Sequence, residues 1–320
     1  MSRFWFILRR VGRGLLTIWF AVTVTFLLLR LLPGDPALAV ASPNMTEDAR
    51  ALLLTQYGLD KPLLVQYGLY LWQLLQGNFG VSFTQSIPVL DVLLQRLPWT
   101  LLLTSTALIL TVVLGIPLGV AAASHKGRFL DRAVQVFGVT GQSLFVPSVG
   151  ILMLFFFGLK LGWFPIGGAY STESYGGAWY LSVLSHLVLP ATSLMLIQIG
   201  SYVLMMRSTL IEALNEDYVT LARANGLPFR RIIWKHALRN ALLPTTTLIG
   251  LQLGFLVGGA VLTETVFAYP GIGRGIYESV IQLDFPVLQG AFLLLAATVV
   301  IANMITDIAY GYLDPRVKTA

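Results

Sequence analysis

The stretch RSTLIEALNEDYVTLARANGLPFRRIIWKHALRN, Arg207 to Asn240, decides how the rest of the chain is placed. It holds Arg207, Arg223, Arg230, Arg231, Lys235 and Arg239 beside Glu212, Glu216 and Asp217. At roughly 3 kcal/mol per charge at the bilayer centre, burying these nine would cost on the order of 25 kcal/mol. The stretch therefore stays in water or at a membrane surface. On either side of it the chain turns apolar. Of 320 residues, 56% are hydrophobic and 11% charged, against about a quarter charged in soluble domains. Long uncharged runs are the mark of helices that face lipid.

Six runs reach the roughly 20 residues needed to cross a bilayer: Gly14–Leu32, Leu97–Ala123, Ala133–Leu159, Trp179–Met206, Ala241–Thr263 and Phe285–Thr306. The chain is expected to be all-α and polytopic. Its alternate connections differ in charge. One side carries Arg3, Arg9, Arg10 and Arg13, then Lys126, Arg128 and Arg132, the six cations of the long loop, and Arg316 and Lys318. The other carries Arg50, Lys61, Arg96 and Arg274, with Arg30 and Lys160 at helix ends where they can snorkel. The positive-inside rule puts both termini in the cytoplasm. The net charge of +6 is thus read as topology and not as nucleic-acid binding. A cleaved signal peptide at Ala37-Leu38-Ala39 is disfavoured, because Arg30 interrupts the apolar run and cleavage would spoil the alternation.

Residues 33–96 are the longest outer connection. Pro62–Gln76 places Leu63, Leu64, Tyr67, Leu71, Leu74 and Leu75 on one helical face, too short to span. This segment is expected to lie on the membrane or to build a small cap. Within the spans, Gly250, Gly254 and Gly258 recur every four residues, as do Gly115, Gly119 and Ala123. That spacing serves close packing inside the chain or a seam with another chain. No span has a charge near its centre, which disfavours an ion-coupled carrier. Gln142, Ser143, Ser148, Ser193, Gln198, Ser201, Gln252 and Asn303 either line a neutral polar pathway or bond helix to helix. Chemistry is scarce. There is no cysteine, no P-loop and no metal-ligand spacing. Gly141-Gln142-Ser143-Leu144 with His186 is a poor match to an intramembrane serine protease, since nothing supplies an oxyanion hole.

The long loop has a design of its own. Asn215 is placed as an N-cap, Glu216 and Asp217 in a first helical turn, Arg223 in the last, and Gly226 as the stop before Pro228. A helix Glu216–Asn225 of about ten residues is marginal alone, so it needs a surface. Tyr218, Leu221, Ala222 and Asn225 share one face. A basic helix, Phe229–Asn240, then runs into the fifth span, where its arginines can meet lipid headgroups. The pair serves either as a solvated hairpin or as a lever that carries a partner's motion into the membrane.

Tyr218-Val219-Thr220-Leu221-Ala222-Arg223-Ala224-Asn225-Gly226-Leu227, followed by His236-Ala237-Leu238-Arg239-Asn240-Ala241-Leu242-Leu243-Pro244, resembles the permease signature of bacterial ABC importers, in the dipeptide, oligopeptide and nickel branch. The likeness runs nearly end to end, through Leu32-Pro33-Gly34-Asp35-Pro36, Tyr57-Gly58-Leu59-Asp60-Lys61-Pro62, Gly77-Asn78-Phe79-Gly80, Leu161-Gly162-Trp163-Phe164-Pro165 and Tyr269-Pro270-Gly271-Ile272-Gly273-Arg274. Against the general importer signature only Ala222, Gly226 and Leu238 fit, a departure the peptide branch shares. Gln282-Leu283-Asp284 lacks the arginine often found before that acid.

The resemblance implies a type I permease fold in a bacterial inner membrane. Residues 1–32 would be the first helix, 33–96 an external cap, and 97–320 the permease core. It implies a second, homologous permease, two ATPase subunits that hold the ATP and magnesium, an external solute-binding protein, and no cofactor in this chain. Glu216, Asp217, Tyr218, Ala222, Arg223 and Gly226 would couple to an ATPase, while Gln142, Ser143, Ser148, Gln198, Ser201 and Gln252 are candidates for the pathway. The cargo implied is a di- or oligopeptide, with nickel or glutathione as the alternative. A stand-alone secondary carrier is the competing class.

Overall fold

Proline, glycine and charge set where the helices begin and end. In the computed structural model, which describes residues 3–31, 61–171, 176–255 and 260–313, α1 spans Arg3–Leu31 and α2 spans Leu63–Leu75. Next come α3 Val89–Ser124, α4 Phe129–Ser143 and α5 Val146–Met153, the last continued by π-helical Leu154–Lys160. The core continues with α6 Gly177–Leu214, α7 Asp217–Ala224 and α8 Leu238–Phe255. It closes with α9 Val261–Val266, α10 Ile272–Ile281 and α11 Phe285–Leu313.

Two helices outrun the bilayer. α3 has 36 residues and α6 has 38. At 1.5 Å per residue these are about 54 and 57 Å long, against a hydrocarbon core of about 30 Å. α3 starts at Val89, not Leu97, with Asp91 in its first turn, so the outer connection is shorter than expected. α6 runs to Leu214. The first eight residues of the basic stretch, 207–214, are therefore the last turns of a spanning helix and not loop.

The third expected span, Ala133–Leu159, is broken. α4 and the helix Val146–Lys160 meet at 102°. Pro147 sits in the first turn of α5, where its missing N–H costs nothing, and it cannot continue a preceding helix. Four described helices are long and apolar enough to cross a membrane, within α1, α3, α6 and α11, and the bent pair makes a fifth. Of the fifth expected span, Ala241–Thr263, α8 is described over 18 residues. Arg239, Asn240, three threonines and Gln252 lower its apolar content. Residues 256–259 lie outside those described, and so do Gly258 and the expectations placed on residues 33–60.

Small residues make two seams within this chain, α3 on α6 and α4 on α6. A Cβ on Gly119 would lie 2.7 Å from Met206 Cβ, and one on Gly115 would lie 3.1 Å from Tyr202 Cβ. The stripe on α3 is thus a seam with α6. Across the α4–α6 contact, a Cβ on Gly200 would lie 2.1 Å from the Gly138 carbonyl oxygen, and one on Gly141 would lie 2.7 Å from that of Leu196. Backbone cannot yield as a side chain can. Gly200→Ala is expected to pry α4 from α6 and to cost about 1–3 kcal/mol. Thermal unfolding in detergent would read this as a lower midpoint; an unchanged midpoint would contradict the seam.

Two buried carboxylates, Asp284 and Glu264, organise the end of the bundle where α3 and α11 begin. Asp284 caps α11, with its Oδ1 accepting from Val287 N at 3.4 Å. It also accepts from Ser82 Oγ at 2.6 Å, Thr84 Oγ1 at 2.8 Å and the Phe83 and Thr84 amides at 3.2 Å. One acid thereby ties the turn before α3 to the start of the last helix. Leu283, at the position where the resemblance implies an arginine, has φ +56 and is exposed. Its side chain is not in the Asp284 cluster, so the substitution leaves the cluster intact. Glu264 accepts from Thr100 Oγ1 at 2.7 Å and the Arg274 amide at 2.9 Å. A Cβ on Gly271 would lie 2.3 Å from its carboxylate, which explains a glycine in the Tyr269-Pro270-Gly271 turn.

Candidate coupling site and pathway

The short helix α7 matches the expected Glu216–Asn225 within a residue at each end. Its N-cap is Glu216, whose carbonyl accepts from the Val219 and Thr220 amides at 3.0 and 3.3 Å. Asn215 instead closes α6, with its amide donating to Glu212 O. At the other end the Leu227 amide donates to Ala222 O at 3.2 Å, and the Gly226 amide to Arg223 O at 2.9 Å. This nested pair is a Schellman stop, and Gly226 supplies the φ of +73 that it requires. Leu227 packs on the same core as Ala222, the apolar contact that accompanies such a stop.

The face of α7 differs from the one expected. Val219 is fully buried and Ala222 is 7% exposed, whereas Leu221 is 64% exposed. Val219 and Ala222, three residues apart, seat the helix among Val120, Met206, Leu210, Ile232 and Ala237 of its own chain. Tyr218 packs partly against the same core, with its hydroxyl buried and lacking a hydrogen-bond partner among the described residues. Ala222 is therefore a foundation of the helix and not a contact for a partner. Asp217, Thr220, Leu221, Arg223 and Ala224 face outward. Arg223 lies over the Phe229 ring at 6.0 Å.

From α7 the chain enters α8 through one helical turn, Phe229–Arg231, and a π-helical stretch, Ile232–Ala237. Ile232, Ile233 and Ala237 point into the core. Thr209 Oγ1 donates to Ala241 O at 3.0 Å, pinning the start of α8 to α6. π-turns in α-helices concentrate at functional sites.

The base of this assembly is held by an ion pair that the sequence did not reveal. Arg207 Nε donates to Asp131 Oδ1 at 2.5 Å and its Nη2 to Oδ2 at 2.9 Å. The Gly127 amide and Gln135 Nε2 donate to the same carboxylate at 2.8 and 3.1 Å. Asp131 is buried. The pair staples the first turn of α4, and the turn before it, to α6.

Candidate pathway residues fall into three groups. On α6, Ile199, Tyr202, Val203 and Met206 meet α3; Leu196, Gly200, Leu204 and Arg207 meet α4; and Met206 and Thr209 meet α8. At 100° per residue the stripe left uncovered is that of Gln198, Ser201, Met205 and Ser208. Gln198 and Ser201 are half-buried on it. Gln142 ends α4 beside Gly200, with its Cγ 3.0 Å from where a Cβ on that glycine would lie. Ser143 is exposed at the same tip and donates to Val139 O at 3.0 Å. Ser148 is exposed beyond the bend and Gln252 is half-buried on α8. No hydrogen bond joins either to the α6 stripe among the described residues. Ser143 and His186 do not form a catalytic pair. The His186 Nδ1 is 2.7 Å from Ser182 O, and His186 lies ten residues, about 15 Å of helix rise, from the Leu196 turn that the α4 tip packs on.

The short helix α7, seated on a bundle of apolar membrane-length helices, suits a polytopic membrane protein. Residues 115–319 match the family model described as binding-protein-dependent transport system inner membrane component, and residues 1–104 match its N-terminal companion. The chain belongs to this family, and is a multi-pass inner-membrane permease. It is 38% identical over 330 residues to the di/tripeptide transport system permease protein DppB of Pseudomonas aeruginosa, with 98% of each chain covered. It is 36% identical over 313 residues to the glutathione transport system permease protein GsiC of Salmonella choleraesuis, again with 98% of each covered. Its fold is similar to that of the inward-facing MetNI methionine ABC transporter, with a TM-score of 0.57 at 19% identity over 70% of this chain and 97% of that one.

Proposed function

We propose that this chain is one permease of an ATP-driven importer of di- and oligopeptides. A second, homologous permease completes the pathway, two ATPase subunits supply the energy, and an external binding protein delivers cargo. The observation that carries the proposal is the outward face of α7, with Asp217, Thr220, Leu221 and Arg223 exposed on a helix already seated by Val219 and Ala222. A helix fixed on its inner side and apolar at one outward point is built to be pushed. Motion of α7 passes through the π-helical stretch into α8 and, through Thr209, into α6. We place both termini and α7 in the cytoplasm, on the charge asymmetry of the connections. The neutral stripe of Gln198 and Ser201, with Gln142 beside it, suits a cargo whose backbone amides need partners and whose side chains vary.

Glutathione is the second reading, supported by the relative that carries it. It is itself a tripeptide, and identity to the two relatives differs by two percentage points. Proteoliposomes holding both permeases and both ATPases, with the binding protein outside and ATP inside, decide the matter. A labelled dipeptide should accumulate only with ATP, and omitting the ATPases should abolish uptake. Accumulation driven by an ion gradient without ATP would make the protein a secondary carrier. Uptake of glutathione and no simple peptide would select the second reading.

A further inference from the structure

In the spanning helix α1, residues 14–29, between Arg13 and Arg30, carry no charge. At 1.5 Å per residue that run is about 24 Å long, against a hydrocarbon core of about 30 Å. An uncharged run shorter than the core lies wholly within it. Thr23 is in this run, about 10 Å of helix rise from Arg30. It is therefore at hydrocarbon depth.

The helix α2 is held at that depth. Thr23 Oγ1 donates to Trp19 O at 2.8 Å. The Tyr67 hydroxyl of α2, 2.6 Å from Thr23 Oγ1, is then the donor between those two. An unpaired hydroxyl is costly in hydrocarbon, and this bond removes the cost. Three residues on, the Phe26 ring stacks on Tyr70 at 5.5 Å and meets Tyr67 at 5.3 Å.

Tyr67 and Tyr70 face α1, and the far side of α2 is apolar as well. Leu64, Leu69, Trp72 and Leu75 are exposed there, Leu75 at 81%. No residue of α2 is charged and none is buried. A helix apolar on opposite sides belongs in lipid or inside a protein. Gln66 and Gln73, seven residues apart, share its one polar edge. Its 13 residues, about 20 Å, are too few to cross the bilayer. The stripe of α1 that α2 covers continues beyond it as a lipid face. Trp19 and Phe20, one turn before Thr23 on the same side, are 53% and 64% exposed.

We propose that α2 is immersed in one leaflet beside α1, with Leu64, Leu69, Trp72 and Leu75 against acyl chains and the Gln66 and Gln73 edge toward the headgroups. The connection between α1 and α3 is thereby anchored in the bilayer, and α2 is not a cap standing in water. The inference rests on the contacts of α2 with a spanning helix, and on neither the cargo nor the source of energy.

The chain has no cysteine, so a single cysteine at Leu69 or Trp72 can carry a nitroxide in the assembled importer in liposomes. Both positions are exposed. Oxygen concentrates among acyl chains and a nickel chelate stays in water, and each changes the relaxation of a label that it reaches. Labels at Leu69→Cys and Trp72→Cys should be open to oxygen and shielded from nickel, as one at Phe20→Cys on α1 should be. A label at Lys126→Cys, exposed in the turn after α3, should show the reverse. Nickel access at Leu69 or Trp72 equal to that at Lys126 would overturn the proposal and make α2 a cap in water. Shielding from both reagents would overturn it in favour of a second protein chain on that face. Oxygen access at both sites with no peptide uptake would count against the proposed cargo and leave α2 in the leaflet.

Discussion

Leu221→Asp is expected to abolish ATP-driven uptake while the permease still inserts, folds and pairs with its partner permease. Leu221 is 64% exposed on a helix whose other apolar residue of similar size, Val219, is fully buried. Folding gains little from Leu221, so its loss costs little stability; the new acid, four residues after Asp217, adds a like-charge penalty of a few tenths of a kcal/mol. Docking is different. Aspartate there would put an unpaired carboxylate into the contact, and an uncompensated buried charge costs about 3 kcal/mol or more, beyond a hundredfold fall in occupancy. Ala222→Arg is the informative comparison. It drives a cation among Val120, Met206 and Ile232 and should lower stability itself, so its transport defect would say nothing of docking. Normal thermal unfolding with lost uptake in L221D, beside a lowered midpoint in A222R, is the expected pattern. Wild-type uptake in L221D would remove α7's outward face from the mechanism.

The second large effect concerns Asp131 and Arg207. Arg207→Met should destabilise the bundle by about 3 kcal/mol, the lower end of the range for breaking a buried pair, because Arg207 keeps 20% of its side chain exposed while Asp131 has 2%. The double variant D131L/R207M should recover most of that loss, since it leaves no orphan charge. Thermal unfolding of the three proteins in one detergent measures both values. Equal destabilisation by the single and double variants would mean that the pair acts through shape and not charge.

Much of this was legible in the sequence because lipid imposes a simple rule. Apolar run length placed four of the six expected spans on single long helices, α1, α3, α6 and α11, and capping chemistry placed α7 within a residue at each end. The failures share a cause. Pro147 is read equally well as a tolerated mid-span proline or as part of the first turn of a new helix; the packing of Gly138 and Gly141 on α6 goes with the second. Asp131 and Arg207 stand 76 residues apart, and as charges near span ends each looks solvated. The face of α7 was misassigned because Tyr218, Leu221 and Ala222 fit a helical stripe as well as Val219 and Ala222 do. Tertiary burial chose between two valid periodicities. The π-helical stretch leaves no compositional trace at all, since it changes hydrogen-bond register and not residue type.

The Schellman stop at Gly226 has a consequence for how the complex comes together. A lever left disordered until a partner arrived would be ordered at the partner's expense, at roughly 1–2 kcal/mol for each of its eight residues. Here the backbone is fixed beforehand by Glu216, Gly226 and the seat of Val219 and Ala222. On the coupling role proposed for α7, assembly would join two finished surfaces and leave nearly all of the contact free energy to hold the subunits together and to transmit force between them.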